Sequence, residues 1–436
     1  MGVELRMLTG RVALRVGSRV ALLAVVTLLA LGCAGRAELI RGEPAGKDLD
    51  GLVDSDSARQ VLVDLLARRS LEPRLEALAR SPLPADAVWK RGANASTAQG
   101  WLPDQARLLE LSREKSVDFA ALTFARAMRR DAMSREVQAS FDRFLHDDAA
   151  RSAALLRLPG AFPYTVLFAP SWLYRSHPET GADFAHQRLL LDRLGLANRL
   201  IVTGESASIE DNAAAIAAAL RAARPEDGSL ILVTASKSGA EAALALSRLL
   251  APEDTARVVA WVNIVGALGG TPLADSALRP PISWLVRCVF WLNGWDWAGL
   301  TSMATRPSRD RLDGARLPES ITVVNVVAVP LSGSVGATVW WGYRLLRPHG
   351  PNDGVVLLAD AVWPGGVNIV AIGPDHLFAP RTDDAQSLAL LRAIAVAVQV
   401  HAVTPQPAVA VGSGQIGETA TSYDLRRGGR LDDSEE

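Results

Sequence analysis

Cysteine is scarce in this chain: Cys33 and Cys288 are the two copies in 436 residues. Two thiols cannot by themselves build a metal cluster. Neither an HExxH pair nor clustered His/Cys spacing makes up for them, so no metal is expected. A surplus of charge is also missing. The formal net charge of −1 gives no electrostatic reason to expect nucleic acid as a partner. The phosphate-cradling GxxxxGKS/T does not occur, and no glycine fingerprint follows the first strand of the series described below. A nucleotide-binding protein is therefore not the expectation, and no cofactor is called for. Near the amino terminus the apolar run Val20 to Leu31 spans 12 residues and is interrupted by Thr27. It is too short for a comfortable transmembrane helix.

That run has the flanks of a secretion signal. Arg6, Arg11, Arg15 and Arg19 form a basic stretch before it, and Gly32-Cys33 closes it. The sequence ALGC resembles the bacterial lipobox, which implies cleavage before Cys33 and lipidation of its thiol. Ala34 follows, with no aspartate to argue for inner-membrane retention. The resemblance thus implies attachment to the outer membrane, facing the periplasm, through an N-terminal lipid anchor. An uncleaved anchor and a plain secretory signal are the alternatives. Cys288, left alone, is expected to be a buried apolar thiol.

With 49% hydrophobic residues, the chain can bury a large core. Residues 1–32 read as the signal peptide and 33–158 as a helical N-terminal extension. Apolar residues at i, i+3, i+4 spacing recur in SARQVLVDLLARR, EPRLEALAR, LPDQARLLELSRE and VDFAALTFARAMRR. From 159 to 403 strands and helices alternate. PYTVLF, NRLIVT, SLILVTA, ARVVAWVNIV, ESITVVNVVAVP and VNIVAIGP are the apolar strand segments. Alternation at this spacing predicts an α/β fold, a mostly parallel sheet covered by helices on both faces. Residues 404–436 are rich in Pro, Gly, Ser and charge, and read as a disordered tail.

The series is organised around SLILVTASKSGAEAALALSRLL, residues 229–250. A strand runs into a turn of small residues and then into an Ala/Leu-rich helix, the layout of a nucleophile elbow with Ser236 at its corner. Thr234 and Ser238 stand where G-x-S-x-G has its glycines, and Ser238 is the rival nucleophile. An ordinary βα turn of a Rossmann-like sheet is the plainer alternative. Two downstream features supply what a serine hydroxyl needs, a base and an acid to hold that base. Asp353 lies in PNDGVV, and His376 follows the strand VNIVAIGP, 376 − 353 = 23 residues later. Asp375 and Asp360 are rival acids and His349 a rival base, while His177 and His186 read as surface or helix histidines.

LVTASKSG resembles the LVGHSxGG run of α/β-hydrolases. NDGVV followed by a strand and a DH turn resembles the acid and histidine segments of their lipases and esterases. The resemblance covers about residues 160 to 402 and implies an α/β-hydrolase-type fold with a triad of Ser236, His376 and Asp353. It further implies an oxyanion hole made by the Lys237 amide together with that of Ser171 or Trp172. The implied activity is that of a serine esterase or lipase acting through an acyl-enzyme. The expected substrate is a small-molecule or lipid ester, and protein partners are not indicated. The insertion at about 271–318 carries Trp284, Trp291, Trp295 and Trp297 within 14 residues. It is read either as a lid or bilayer-facing helix or as a cap buried on the domain. Acyl transfer is a variant of the same chemistry. The competing class is a catalytically inactive relative acting as a binding or scaffold lipoprotein of the cell envelope.

Overall fold

The computed structural model describes residues 51–70, 102–147, 162–378 and 384–403. Cys33 with its signal segment, the predicted helix EPRLEALAR and the tail 404–436 lie outside the described residues. Among the described residues, four helices precede the first strand: α1 (Asp56–Ser70), α2 (Gln105–Glu114), α3 (Val117–Met128) and α4 (Ala132–His146). Three begin where a side chain caps the free amides of the first turn. Asp104, Ser116 and Asp131 accept from Arg107, Phe119 and Ser134 respectively.

The α/β region opens with β1 (Tyr164–Ala169), α5 (Ala185–Arg193), β2 (Asn198–Leu200) and α6 (Ile209–Arg221), the last capped by Ser208. Next come β3 (Ser229–Ala235), α7 (Lys237–Leu244), the short α8 (Pro252–Thr255) and β4 (Val258–Ile264). The insertion holds α9 (Pro272–Ala277), α10 (Ile282–Asn293), α11 (Trp297–Ser302) and α12 (Thr305–Leu312). The chain then forms β5 (Thr322–Val329), α13 (Trp340–Leu346), β6 (Val367–Ile372) and α14 (Asp384–Val403). Trp340 and Trp341 open α13.

The six strands form one sheet in the order β2-β1-β3-β4-β5-β6, and every neighbouring pair is parallel. Such strands are buried on both faces, which is why they read as unbroken apolar runs. One face, with Val166, Phe168, Ile231, Val233 and Val326, packs with residues of α4, α5 and α14. On the other, Leu230, Leu232 and Trp261 meet α6 and α7, and Val327, Val329 and Val370 meet α1, α2 and α3. The outer edge of β6 is capped by side chains of α4. Gln138 accepts from the Val370 amide at 2.7 Å and donates to its carbonyl at 3.3 Å, and Ser134 accepts from Asn368. Those bonds occupy an edge that would otherwise offer itself for pairing.

Buried Asp118 of α3 fastens the helical extension to the loop after β5. It accepts from the amide and hydroxyl of Ser332, from the Tyr343 hydroxyl at 3.1 Å, and from the Asp54 amide. Burial, aided by the Asp54 carboxylate, pushes its own carboxyl up to about 6.

Candidate active site

Three loops at the carboxyl ends of the strands build the site. At the first, β3 meets α7 with Ser236 held at φ 53° and ψ −121°. A non-glycine residue with positive φ is strained and persists only where its surroundings fix it. Here the Ser236 amide donates to Ile264 and its carbonyl accepts from Ala267 at 2.9 Å. The following helix can pack close because Gly239 has no side chain. A Cβ there would meet Asn263 Oδ1 at 2.6 Å and Gly266 Cα at 2.9 Å.

The two departures from the usual glycines are accommodated. Buried Thr234 donates to the Val262 carbonyl, and the Ser238 hydroxyl turns inward to the carbonyls of Ala169 and Ala235, each at 2.9 Å. Ser238 is fully buried, so the hydroxyl that faces the cavity at this turn belongs to Ser236.

His376, in the loop after β6, lies with Nε2 2.9 Å from Ser236 Oγ and Nδ1 2.7 Å from Asp353 Oδ2. Its amide also donates to the Asp353 carbonyl, fixing one loop to the other. Asp353 is 1% exposed, and its other oxygen accepts from the amides of Val355 at 2.9 Å and Val356 at 2.7 Å. These bonds hold the carboxylate in one orientation behind the imidazole. With the His376 proton on Nδ1, Nε2 is left as an acceptor facing the serine hydroxyl.

The rival acids are committed elsewhere. Asp375 accepts from the amides of Gly336 and Leu377, and burial raises its carboxyl against those bonds. Asp360 pairs with Arg309 at 3.3 Å. His349 is exposed, His177 lies 2.9 Å from Glu179, and His186 lies 2.8 Å from Asp384.

The Ser171 alternative for the oxyanion hole needs correction. Its N–H donates to the Ala182 carbonyl at 2.9 Å, as Leu173 does to Glu205, so neither amide is free for a ligand. The Trp172 amide between them has no acceptor among the described residues. Lys237, first residue of α7, presents an N–H that its helix cannot use.

The Lys237 side chain is a feature that sequence reasoning missed. It is 1% exposed, pairs with Glu241, and places Nζ 5.7 Å from the Trp172 ring centre. Glu241 also accepts from Asn212 at 2.8 Å, and burial raises its carboxyl against the pull of Lys237. The i, i+4 spacing was visible in the sequence, but such pairs are ordinarily solvated. Among the described residues no His/Cys/Asp/Glu group has the make-up of a metal site.

A cavity of about 640 Å³ opens at Ser236 and His376, lined chiefly by apolar residues. That volume lies in the ~300–1,000 Å³ range of small-molecule sites, which are likewise lined mainly by apolar side chains with a few polar groups. The insertion roofs the cavity with Phe290, which contacts the rings of Trp172, Trp295 and Trp297. The opposite side of α10 faces outward, with Trp284 69% and Trp291 79% exposed. Cys288 is exposed too, contrary to the expected buried thiol. Phe290 and Val286 turn towards the apolar cluster under the helix.

No family model and no curated protein sequence matches the chain. Solved structures do resemble it over about half its length. A carboxyl esterase of metagenomic origin is 26% identical, over 55% of this chain and 76% of its own, at a TM-score of 0.44. The mature Bacillus licheniformis lipase is 21% identical, over 51% and 88%, at 0.42. Lipase 1 from Pelosinus fermentans is 13% identical, over 56% and 100%, at 0.40. The parallel sheet, the strained serine turn and the order Ser, Asp, His along the chain make an α/β-hydrolase fold.

Proposed function

We propose that this protein is a carboxylic-ester hydrolase with Ser236 as nucleophile, His376 as general base and acid, and Asp353 as the group orienting His376. The observation that carries the reading is the continuous chain of contacts Ser236–His376–Asp353, 2.9 and 2.7 Å long, at the mouth of an apolar cavity. His376 Nε2 takes the hydroxyl proton as Ser236 Oγ bonds to the ester carbonyl carbon. The carbonyl oxygen, now negative, is met by the amides of Trp172 and Lys237. Collapse of this intermediate expels the alcohol, which leaves with the proton from His376. Water then repeats the sequence on the acyl-enzyme and releases the acid. An alcohol in place of water would give acyl transfer.

The apolar lining favours acyl or lipid-like esters. In this reading Cys33 carries the lipid that anchors the protein in the bacterial cell envelope, at the outer membrane and facing the periplasm. The support there is the basic stretch, the apolar run and ALGC in the sequence.

Fluorophosphonate labelling of the purified protein, beside Ser236→Ala and Ser238→Ala variants, tests the nucleophile. Labelling is expected in the wild type and in Ser238→Ala and lost in Ser236→Ala. A folded wild type that takes no label would favour the inactive binding or scaffold protein instead.

A further inference from the structure

The two amides assigned to the reacting carbonyl belong to separate loops. Lys237 opens α7, directly after Ser236, while Trp172 lies in the loop after β1. An oxyanion gains fully from both donors only if their separation is fixed before the reaction. The Trp172 loop is pinned on either side, where Ser171 donates to Ala182 and Leu173 to Glu205, with Leu173 held at φ 53°. Neither of those bonds reaches α7.

Buried polar side chains make that connection. The Trp172 loop leans on residues 203–205, where the Tyr174 hydroxyl donates to the Thr203 carbonyl at 3.0 Å and Leu173 to Glu205. Between them, Gly204 is gripped at both its backbone groups by Asn212 of α6. Asn212 accepts from the Gly204 amide and donates to its carbonyl, each at 2.9 Å. Asn212 also donates to Glu241 at 2.8 Å, and Glu241 pairs with Lys237. The Lys237 ammonium then lies over the Trp172 ring, 5.7 Å from its centre. The contacts thus run from the Trp172 loop through α6 to α7 and return to the Trp172 indole. Asn212, Glu241 and Lys237 are all buried, so water does not compete for them.

Stability does not account for the ion pair in this path. Desolvating two charges offsets most of what their attraction returns, and apolar side chains of similar volume serve a core as well. A cation fixed over an aromatic face, in contrast, defines where that ring lies. Resting on the ester-hydrolase reading, we propose that Lys237, Glu241 and Asn212 are positioning residues that hold the Trp172 amide at the oxyanion. Glu241, gripped by Asn212, aims the ammonium. The ammonium fixes the indole, and with it the Trp172 backbone.

Lys237→Met/Glu241→Gln tests this in the full chain. It deletes the ammonium without stranding a carboxylate, and it keeps both the backbone amide and an acceptor for Asn212. With p-nitrophenyl butyrate, kcat should fall about 10- to 100-fold while KM stays within about twofold. Butylboronic acid gives a second readout, since Ser236 Oγ adds to boron and passes its proton to His376, leaving a tetrahedral adduct. Affinity for it should fall by a like factor, and affinity for planar butyrate should not change. The acid limb of the kcat/KM profile should stay in place, because His376 and Asp353 are untouched. A general loosening of the site would instead shift KM, butyrate binding and the pH profile together, and would count against the proposal.

Trp172→Leu covers the case in which the core variant does not fold, because Trp172 is half-buried at the cavity wall. It removes the ring but keeps the amide, and should show the same fall in kcat and in boronate affinity. In that background Lys237→Met/Glu241→Gln should cost nothing more. Wild-type kcat and boronate affinity in either variant, or losses that multiply when the two are combined, would overturn the positioning role and leave the hydrolase reading intact. A wild type that cleaves no ester and takes no fluorophosphonate would sink the hydrolase reading, and the positioning role with it.

Discussion

Lys237→Met isolates the buried ion pair beside Ser236. Methionine keeps an unbranched apolar stem but deletes the ammonium. Glu241, 1% exposed, then keeps only the Asn212 amide, while its Oε2 has no partner among the described residues. Removing one partner of a buried pair costs ~3–5 kcal/mol because the other charge is stranded. Changing Glu241→Gln as well removes that charge and keeps an acceptor for Asn212. The double variant is therefore expected within ~1–2 kcal/mol of wild type, far above the single one.

The pH dependence has a definite sign. Burial already raises the Glu241 carboxyl above its ordinary value, and loss of Lys237 removes the first force opposing that rise. A group whose pKa is higher folded than unfolded contributes most below its unfolded value, and that contribution is lost as pH rises. The stability deficit of Lys237→Met should hence shrink between pH 7 and pH 5. Urea unfolding followed by tryptophan fluorescence at both pH values measures it. The reasoning is refuted by a single variant as stable as wild type at pH 7, or by a double variant as unstable as the single one.

Asp353→Asn keeps an oxygen for the Val355 and Val356 amides but turns the group behind His376 into one that no longer fixes the proton on Nδ1. Turnover of a short ester is expected to fall about 10⁴-fold, with KM little changed, and steady-state kinetics checks this. Asp118 is raised from 3.8 to about 6 in the folded protein, mainly by burial. Its contribution is therefore present below pH ~4 and lost as pH rises through ~6, a swing of up to ~3 kcal/mol at 1.36 kcal/mol per unit. Asp118→Asn should flatten the urea-midpoint profile between pH 4 and 6, and parallel profiles for the two proteins would refute the assignment.

Much of this architecture was legible because parallel strands buried on both faces leave continuous apolar runs, as in SLILVTA and ITVVNVVAV. The serine turn was legible for a related reason, since a tight strand-to-helix reversal favours small residues such as Thr234, Ala235, Ser238 and Gly239 around its corner. What stayed hidden depends on relations between distant segments. A backbone amide carries no side-chain signature, so Ser171 and Trp172 could not be separated until the Ala182 carbonyl was seen to occupy one of them.

The helix ISWLVRCVFWLN is apolar nearly all round, so its pattern could not choose which stripe docks. The protein buries Phe290 and leaves Trp284, Cys288 and Trp291 outside. A cavity is the extreme case, because it consists of volume that side chains do not fill. Ile231 and Val233 read in the sequence as ordinary core, and no property of either residue distinguishes a wall from packing. Only the placement of α5, α14 and the insertion around Ser236 decides which of these side chains border the cavity and which stay closed core, as Ile231 does at 0% exposure.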